Sequence, residues 1–364
     1  MKLKMIKQTR KHLLSENITR PYWHRKDTDR NFKKICLDKN ENNDENLKKI
    51  YKKIFDKNFT NSVSNYPNLH DTYNSIAKLN KVSINNILIG AGSDGIIRSV
   101  FETFIQKGDL VLKTSPTFQM YEIYSKIYQA KTINVQYINK DDNIFFDFEK
   151  FVKIIKNYKV KLICLPNPDS PTGTIISNKK MEIILKEANK KNTIVLIDEA
   201  YYHFYDKSVI KFLKKYKNLI ISRTFAKAWG LAGLRIGYGI ANQDIIKYMN
   251  KVKSMYEVNT FAAHAIPQVI TKNKYVRNSV KILNNSKEFF LKELKKMGFK
   301  TLNSYGNFCH VKFGSRSKKI HKVLKKYVLY KEDFSENCLN GYSRFSLTNK
   351  KNFKKILNLI SDIK

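Results

Sequence analysis

Long hydrophobic runs are missing from this chain of 364 residues. Nothing approaches the roughly 20 apolar residues that a membrane helix needs, and Met1 to Ile18 carries charge without a hydrophobic centre. Neither a membrane span nor a secretory leader is therefore expected, and the cytoplasm is the default compartment. Cysteine is scarce: Cys36, Cys164, Cys309 and Cys338 show no paired spacing, so they read as free thiols in a reducing compartment and offer no metal framework. Cys164 falls in an apolar run and reads as core. Proline and glycine are also few, at 7 and 13. No repeat, low-complexity tract or Pro/Gly-rich linker divides the chain.

Acidic residues are outnumbered, 31 against 69 lysines and arginines, for a formal charge of +38. Such an excess would suit nucleic acid, an anionic membrane surface or anionic substrates. Only ten of the basic residues are arginine, however, and the lysines are spread evenly among abundant asparagine and isoleucine, the pattern that AT-rich coding produces. Neither an arginine cluster nor a basic stripe with interleaved aromatics stands out, so nucleic-acid binding is not expected.

What is present is a globular composition, 42% hydrophobic, long enough for one large domain and a smaller one. From about Asn85 short apolar runs alternate with amphipathic stretches. Strands are read at Asn86–Gly90, Leu110–Lys113, Thr132–Val135, Lys159–Leu165, Thr193–Ile197 and Leu219–Ser222, with helices such as Asp94–Phe104, Tyr121–Tyr128 and Met181–Ala188 between them. That alternation predicts an α/β fold with a mostly parallel sheet covered by helices. After about Ile270 lysine-rich helical stretches with short strand candidates predict a smaller α+β domain. The expected division is an arm at 1–42 that helps to complete the small domain, a large domain at 43–267 and the small domain at 268–364.

Four polar loops follow directly after predicted strands: Gly90-Ala-Gly92-Ser93-Asp94, Asn167-Pro-Asp-Ser170-Pro-Thr-Gly173, Asp198-Glu-Ala-Tyr201 and Arg223-Thr224-Phe-Ala-Lys227. In an open parallel sheet, ligands gather at the carboxyl ends of the strands, so these loops converge on one site. Lys227 lies among small residues, in Ala-Lys227-Ala-Trp-Gly-Leu-Ala-Gly-Leu-Arg235, unlike the other lysines on their polar background. An amine attacks a carbonyl only when neutral, which burial or a nearby cation favours, and Arg235 is the nearest cation downstream.

These blocks, with Tyr66-Pro67 and Pro116-Thr-Phe118-Gln-Met-Tyr121, occur in the order of a known family. From about Leu37 to its end the chain resembles the pyridoxal-phosphate (PLP) aminotransferases of the aspartate aminotransferase fold, most closely the histidinol-phosphate aminotransferase branch. The resemblance implies a seven-stranded sheet in the large domain and a homodimer with shared sites. It implies that Lys227 carries the cofactor as a Schiff base and then moves the proton between substrate α-carbon and cofactor. Asp198 would pair with the protonated pyridine nitrogen, Tyr201 would bond the 3-hydroxyl and Phe118 would stack on the ring. Gly92, Ser93, Asp94, Thr224 and Arg235 would hold the phosphate, joined by Tyr66 from the neighbouring subunit. Arg344 would fork onto a substrate carboxylate.

Two positions depart from the family pattern. Ser170 stands where an asparagine usually meets the 3-hydroxyl, and Lys331 stands thirteen residues before Arg344, where the histidinol-phosphate enzymes carry a second arginine. Lysine holds a phosphate as a point charge rather than bidentately, which puts histidinol phosphate itself in question. Arg20-Pro-Tyr-Trp23-His-Arg25 reads either as a surface arm with a packing tryptophan or as a segment in which Trp23 reaches the substrate. The leading function is amino transfer between a donor such as glutamate and a small anionic keto compound, phosphorylated or not. A phospho-amino-acid decarboxylase resembling threonine-phosphate decarboxylase is the alternative. A basic binding protein with a degenerate site is disfavoured by the intact Lys227, Asp198, Tyr201 and Arg235.

Overall fold

The computed structural model describes residues 10–14, 18, 30–58, 65–361 and 363. The first strand, β1 (Ile35–Cys36), belongs to the smaller part of the molecule. The large sheet follows with β2 (Ile87–Gly90), β3 (Leu110–Ser115), β4 (Lys131–Lys140), β5 (Asn143–Phe146), β6 (Val160–Pro166), β7 (Ile194–Asp198), β8 (Leu219–Thr224) and β9 (Gly237–Ala241). Their spatial order is β2-β9-β8-β7-β6-β3-β4-β5. Strands β10 (Lys300–Leu302), β11 (Phe308–Lys312), β12 (Val328–Leu329) and β13 (Tyr342–Ser346) close the chain.

The sheet has eight strands where seven are expected, and the additional one is β5. β4 runs on to Lys140, and the chain reverses through Asp141 and Asp142, whose φ angles of 53° and 60° give the twist that a two-residue hairpin needs. β5 lies at the edge with an exposed and half-buried alternation, and its apolar residues, Ile144, Phe145 and Phe146, make too short a run to stand out beside the central strands.

Strands β4, β3, β6, β7 and β8 pair in parallel, while β9 runs antiparallel between β8 and β2. β2 therefore points the same way as the parallel set, and the carboxyl ends of β2, β3, β6, β7 and β8 share one edge. The central strands are apolar throughout because both of their faces are covered. In β7, Val195 and Ile197 join the core formed with helices Phe148–Asn157 and Asn178–Lys190, while Leu196 joins the opposite core with helices Gly92–Phe104, Gln119–Ile127 and Gln243–Val252. Each such side chain contributes about 1.5–3 kcal/mol by burial. These positions fix the edge from which the loops project.

A separate core holds Leu37, Phe290, Val311, Phe345 and Phe353 around the antiparallel sheet β10-β11-β13. Phe290 and Phe353, from helices Asn273–Lys296 and Lys350–Ser361, stack at 4.1 Å. The long helix serves both parts of the molecule: Val276 and Val280 pack into the large core and Leu283 onward into the small one. β1 pairs in parallel with β12 through Ile35 and Val328, so the segment that enters the site from the N-terminal side is anchored on the small core. Among the described residues no helix is long and apolar enough to cross a membrane.

Candidate active site

Glycine geometry builds one wall of the site. Gly92 opens helix Gly92–Phe104 with φ of +76°, a conformation that disfavours a side chain, and a Cβ there would lie 3.1 Å from Arg235 Nη2. Gly237, opposite both Gly90 and Thr224 in register, lets the helix start press against β9: a Cβ would meet Ser93 N at 2.6 Å. The first-turn amides of a helix have no partner within it, so Ser93 and Asp94 present N–H groups beside an exposed guanidinium. Arg235, itself at φ 51°, donates to the Ala232 carbonyl at 3.2 Å, and its Nη2 lies 3.5 Å from the Ala91 carbonyl. Thr224 ends β8 next to this cradle, its hydroxyl accepting from the Ala226 amide.

Two buried carboxylates lie behind it. Asp198 Oδ1 accepts from the Ser222 hydroxyl at 3.0 Å and the Ala200 amide at 3.1 Å, and Oδ2 from the Tyr121 hydroxyl at 3.3 Å. No cation is among these partners, and burial raises its pKa to about 6 against the pull of its donors. Asp169 accepts from the Thr172 amide and hydroxyl and from the Thr117 hydroxyl at 3.0 Å. It thereby straps the Phe118 loop to the Ser170 loop, and burial raises its pKa to about 7. Ser170 is half-buried beside it, and Phe118 meets Tyr121 edge-on at 5.8 Å.

Lys227 Nζ donates to the Lys39 carbonyl at 2.9 Å and lies 5.9 Å from the centre of the Tyr201 ring. Tyr201 is buried, and its hydroxyl accepts from Asn40 Nδ2 at 3.0 Å. The neighbouring Asp38 carbonyl accepts from Arg344 Nη2 at 3.2 Å, and Asn42 Nδ2 donates to the Ala228 carbonyl. Residues 38–42 therefore reach Lys227, Tyr201, Arg344 and the backbone just after the lysine. Sequence reasoning passed over them, although Asn40-Glu-Asn42 just before helix Glu45–Asn58 is the kind of polar run that could have drawn notice.

On the small-domain side, Lys331 and Arg344 face each other in an antiparallel bridge with both backbone hydrogen bonds, which puts their side chains on one face. Phe334 lies beneath both, 5.7 Å from Lys331 Nζ and 5.9 Å from Arg344 Cζ. Lys331 is exposed, whereas Arg344 is half-buried, its Nε lacks a hydrogen-bond partner and burial lowers its pKa. His310, opposite Arg344 in register, is fully buried between Phe308 and Phe334. Burial lowers its pKa to about 3, so it stays neutral and adds no repulsion to the cation in front of it.

Tyr66 does not join these residues within the chain: it is 76% exposed and stacks on Tyr256 at 4.1 Å. Trp23 lies outside the described residues. Sequence reasoning also gave no task to the Tyr121 hydroxyl or to Ser222, the partners of Asp198. The register that brings Ser222 opposite Asp198 is not written in either segment alone.

A doubly covered sheet with a lysine, a buried carboxylate and a helix-end anion cradle on one edge defines a class of cofactor-dependent enzyme. The chain belongs to the aminotransferase class I and II family, whose model matches residues 33–360, and it is accordingly a PLP-dependent aminotransferase. It is 35% identical over 289 residues to the histidinol-phosphate aminotransferase of Caldanaerobacter subterraneus subsp. tengcongensis, covering 79% of this chain and 80% of that protein. The corresponding protein of Thermoanaerobacter pseudethanolicus is 38% identical over 264 residues, covering 72% of this chain and 73% of that one. The crystal structure of the histidinol-phosphate aminotransferase from Clostridium acetobutylicum matches with a TM-score of 0.80 at 24% identity, over 90% of this chain and 98% of that one. The enzyme from Sinorhizobium meliloti, solved in complex with pyridoxal-5'-phosphate, matches at 0.77 and 20% identity over 91% of both chains.

The site fits this cofactor on two observations: Asp198 is a buried carboxylate without a cation, and the Gly92 cradle leaves room beside a helix end and Arg235 for a phosphate. The burial of Asp169 has a separate pH consequence. Its folded pKa is raised, so the stability that follows is full below the unfolded value near 4 and is lost as pH rises through about 7. Asp169→Asn keeps the acceptor for Thr172, and Thr117 can turn to accept. In cofactor-stripped protein, the thermal midpoint of the variant relative to the parent should therefore improve as pH rises from about 5 to about 8. A difference that stays constant across that window would remove the titration.

Proposed function

We propose that this enzyme transfers an amino group between glutamate and a small phosphorylated keto compound, with histidinol phosphate as the amino partner on the phosphorylated side. The observation that carries the reading is the Lys331–Arg344 pair: two cations on one face of a bridge, one of them half-buried between aromatic rings with a backbone carbonyl, and no carboxylate, as its hydrogen-bond partner among the described residues. A phosphate or carboxylate is the ligand such a pair lacks. Lysine in the first position supplies charge without a fork, so the phosphate contact is more tolerant of position than a double-arginine clamp.

The cofactor, when bound, supplies an electron sink for the carbanion at the substrate's α-carbon. Lys227 is its attachment point, and in the free enzyme the Lys39 carbonyl keeps that amine facing the site. Once free, the Lys227 amine would move the α-proton from the substrate carbon to the cofactor carbon across the nitrogen between them, which is what makes the reaction a transamination. Asp198 would face the pyridine nitrogen, and Tyr201 would donate to the ring oxygen. Phe118 would cover the ring, with Ser170 near its rim. Ser93, Asp94, Thr224 and Arg235 would hold the phosphate.

The same reading makes the enzyme a cytoplasmic homodimer. Tyr66 and Met255, 76% and 79% exposed, flank the stacked Tyr256, and the adjoining Glu257 packs on Gly90 and Gly95 beside the cradle. An aromatic patch at the rim of a phosphate cradle suits an interface through which Tyr66 of the partner subunit reaches the phosphate.

Three measurements bear on this reading. Lys227→Ala should remove the borohydride-reducible attachment of the cofactor and abolish turnover, while the parent protein mixed with glutamate should lose its yellow absorbance; carbon dioxide release from a phospho-amino acid would favour the decarboxylase instead. Arg344→Lys should weaken glutamate by about 2–3 kcal/mol in kcat/KM, the cost of a charge-assisted fork, whereas Lys331→Ala should weaken mainly the phosphorylated substrate. Unchanged kinetics for both substrates in Lys331→Ala would leave it a surface lysine. Sedimentation should give a dimer, and an active, cofactor-saturated monomer would overturn the shared site.

A further inference from the structure

Tyr201 has one proton to give, and its direction is not fixed by the ring itself. What surrounds its oxygen decides it. Asn40 Nδ2 donates to that oxygen at 3.0 Å, so a lone pair is already occupied and the hydroxyl proton is turned elsewhere. Asn40 is 3% exposed and pinned on all its polar atoms. Its amide donates to Ser346 Oγ at 2.8 Å, its carbonyl accepts from Asn307 Nδ2 at 2.7 Å, and its Oδ1 faces Ser346 Oγ at 3.2 Å. The single proton of the Ser346 hydroxyl is shared between the Leu37 carbonyl at 2.7 Å and, more weakly, Asn40 Oδ1 at 3.2 Å, an arrangement that goes with the amide oxygen of Asn40 on that side and its NH2 on the Tyr201 side. Asn40 also adopts φ of 52°, a left-handed conformation that asparagine tolerates better than most residues. A residue with a strained backbone and every polar atom committed is held for the direction of its side chain.

We propose that Asn40 is a positioning residue that turns the Tyr201 proton toward the cofactor's ring oxygen. Tyr201 meeting that oxygen is the premise, taken from the functional reading above. The small domain contributes Ser346 and Asn307 to the arrangement, while Tyr201 follows the end of β7, so the orientation of one phenolic proton depends on the two parts of the molecule being packed together.

The readout is the pH titration of the absorbance band of the lysine-bound cofactor, which reports hydrogen bonding to the ring oxygen whether or not the enzyme turns over. A donor to that oxygen stabilises its anionic form and lowers the pH at which the chromophore loses its proton. Tyr201→Phe should therefore raise the apparent pKa by about one unit, the worth of a hydrogen bond to a charged group. Asn40→Gly relieves the left-handed backbone while deleting the amide, and should raise the pKa by part of that shift in the parent but not in the Tyr201→Phe background. Asn40→Asp, which can only accept, should draw the proton away and raise it at least as far as Asn40→Gly; it also serves if the glycine variant fails to fold. A Tyr201→Phe shift with no shift in either Asn40 variant overturns the role of Asn40 alone. Equal shifts from Asn40→Gly in both backgrounds do so too, because Asn40 would then act by another route. No shift from Tyr201→Phe removes the premise, and the role of Asn40 with it.

Discussion

Asp198 is the constraint around which the rest is arranged. A carboxylate at the end of a central strand, shut away from water, costs several kcal/mol unless its charge is met. Among the described residues it has three neutral donors, the Ser222 and Tyr121 hydroxyls and the Ala200 amide, and no cation. The result is a carboxyl whose pKa is raised to about 6 while the site lacks its counter-charge. A protonated ring nitrogen would reverse that balance, so the same burial that strips the carboxylate of water would strengthen cofactor binding. The burial itself follows from the fold: strands covered on both faces leave polar groups only at their ends, and β7 ends in Asp198.

The second dependence runs through residues 38–42. Three consecutive residues contact three different site groups: the Asp38 carbonyl takes Arg344, the Lys39 carbonyl takes Lys227, and Asn40 reaches Tyr201. Two of these contacts use backbone carbonyls, which are weak enough to exchange. On the proposed function, a substrate anion at Arg344 would compete with the Asp38 carbonyl, and attachment of the cofactor to Lys227 would end its bond to Lys39. Because the segment is tied to β13 through Ser346 and precedes a helix packed in the large core, it couples occupancy of the site to the seating of the small domain.

How much of this was legible in the sequence follows from where each signal is stored. Strands β2, β3, β6, β7 and β8 announce themselves as apolar runs because both faces are buried, and the loops after β2, β6, β7 and β8 could then be assigned to one edge. β9 carries two glycines in five residues, and their meaning, room for Ile96 and for the start of helix Gly92–Phe104, exists only in three dimensions. β5 is a two-sided edge strand whose apolar run is too short to stand out. Within the site, Lys227, Asp198, Tyr201, Arg235 and Gly92 could be located because their local setting is unusual. Asn40, Asp169, Tyr121 and Ser222 act through partners 24 to 161 residues away, and no local pattern encodes that pairing.

The lysine-rich composition sharpens the reading of the arginines that remain. Where their geometry is described, several use planarity rather than charge alone. Arg30 forks onto Glu41 and also meets Asp38, Arg223 brings Nε and Nη2 together onto Glu199 Oε2 and stacks 3.6 Å from the centre of the Tyr202 ring, and Arg316 lies 4.1 Å from the centre of Phe299. Arg223 is thus a structural clamp behind the site, although it stands in the same motif as Lys227. Lysine could not substitute at such places without losing a fork or a stack. By that standard, and on the proposed function, Arg344 would suit a planar, bidentate partner, whereas Lys331, exposed on the rim and facing it, would supply point charge alone. An anion held by one fork and one point charge is oriented at the arginine end and left adjustable at the lysine end. That division suits an enzyme that must accept two differently shaped anionic substrates in turn at a single site.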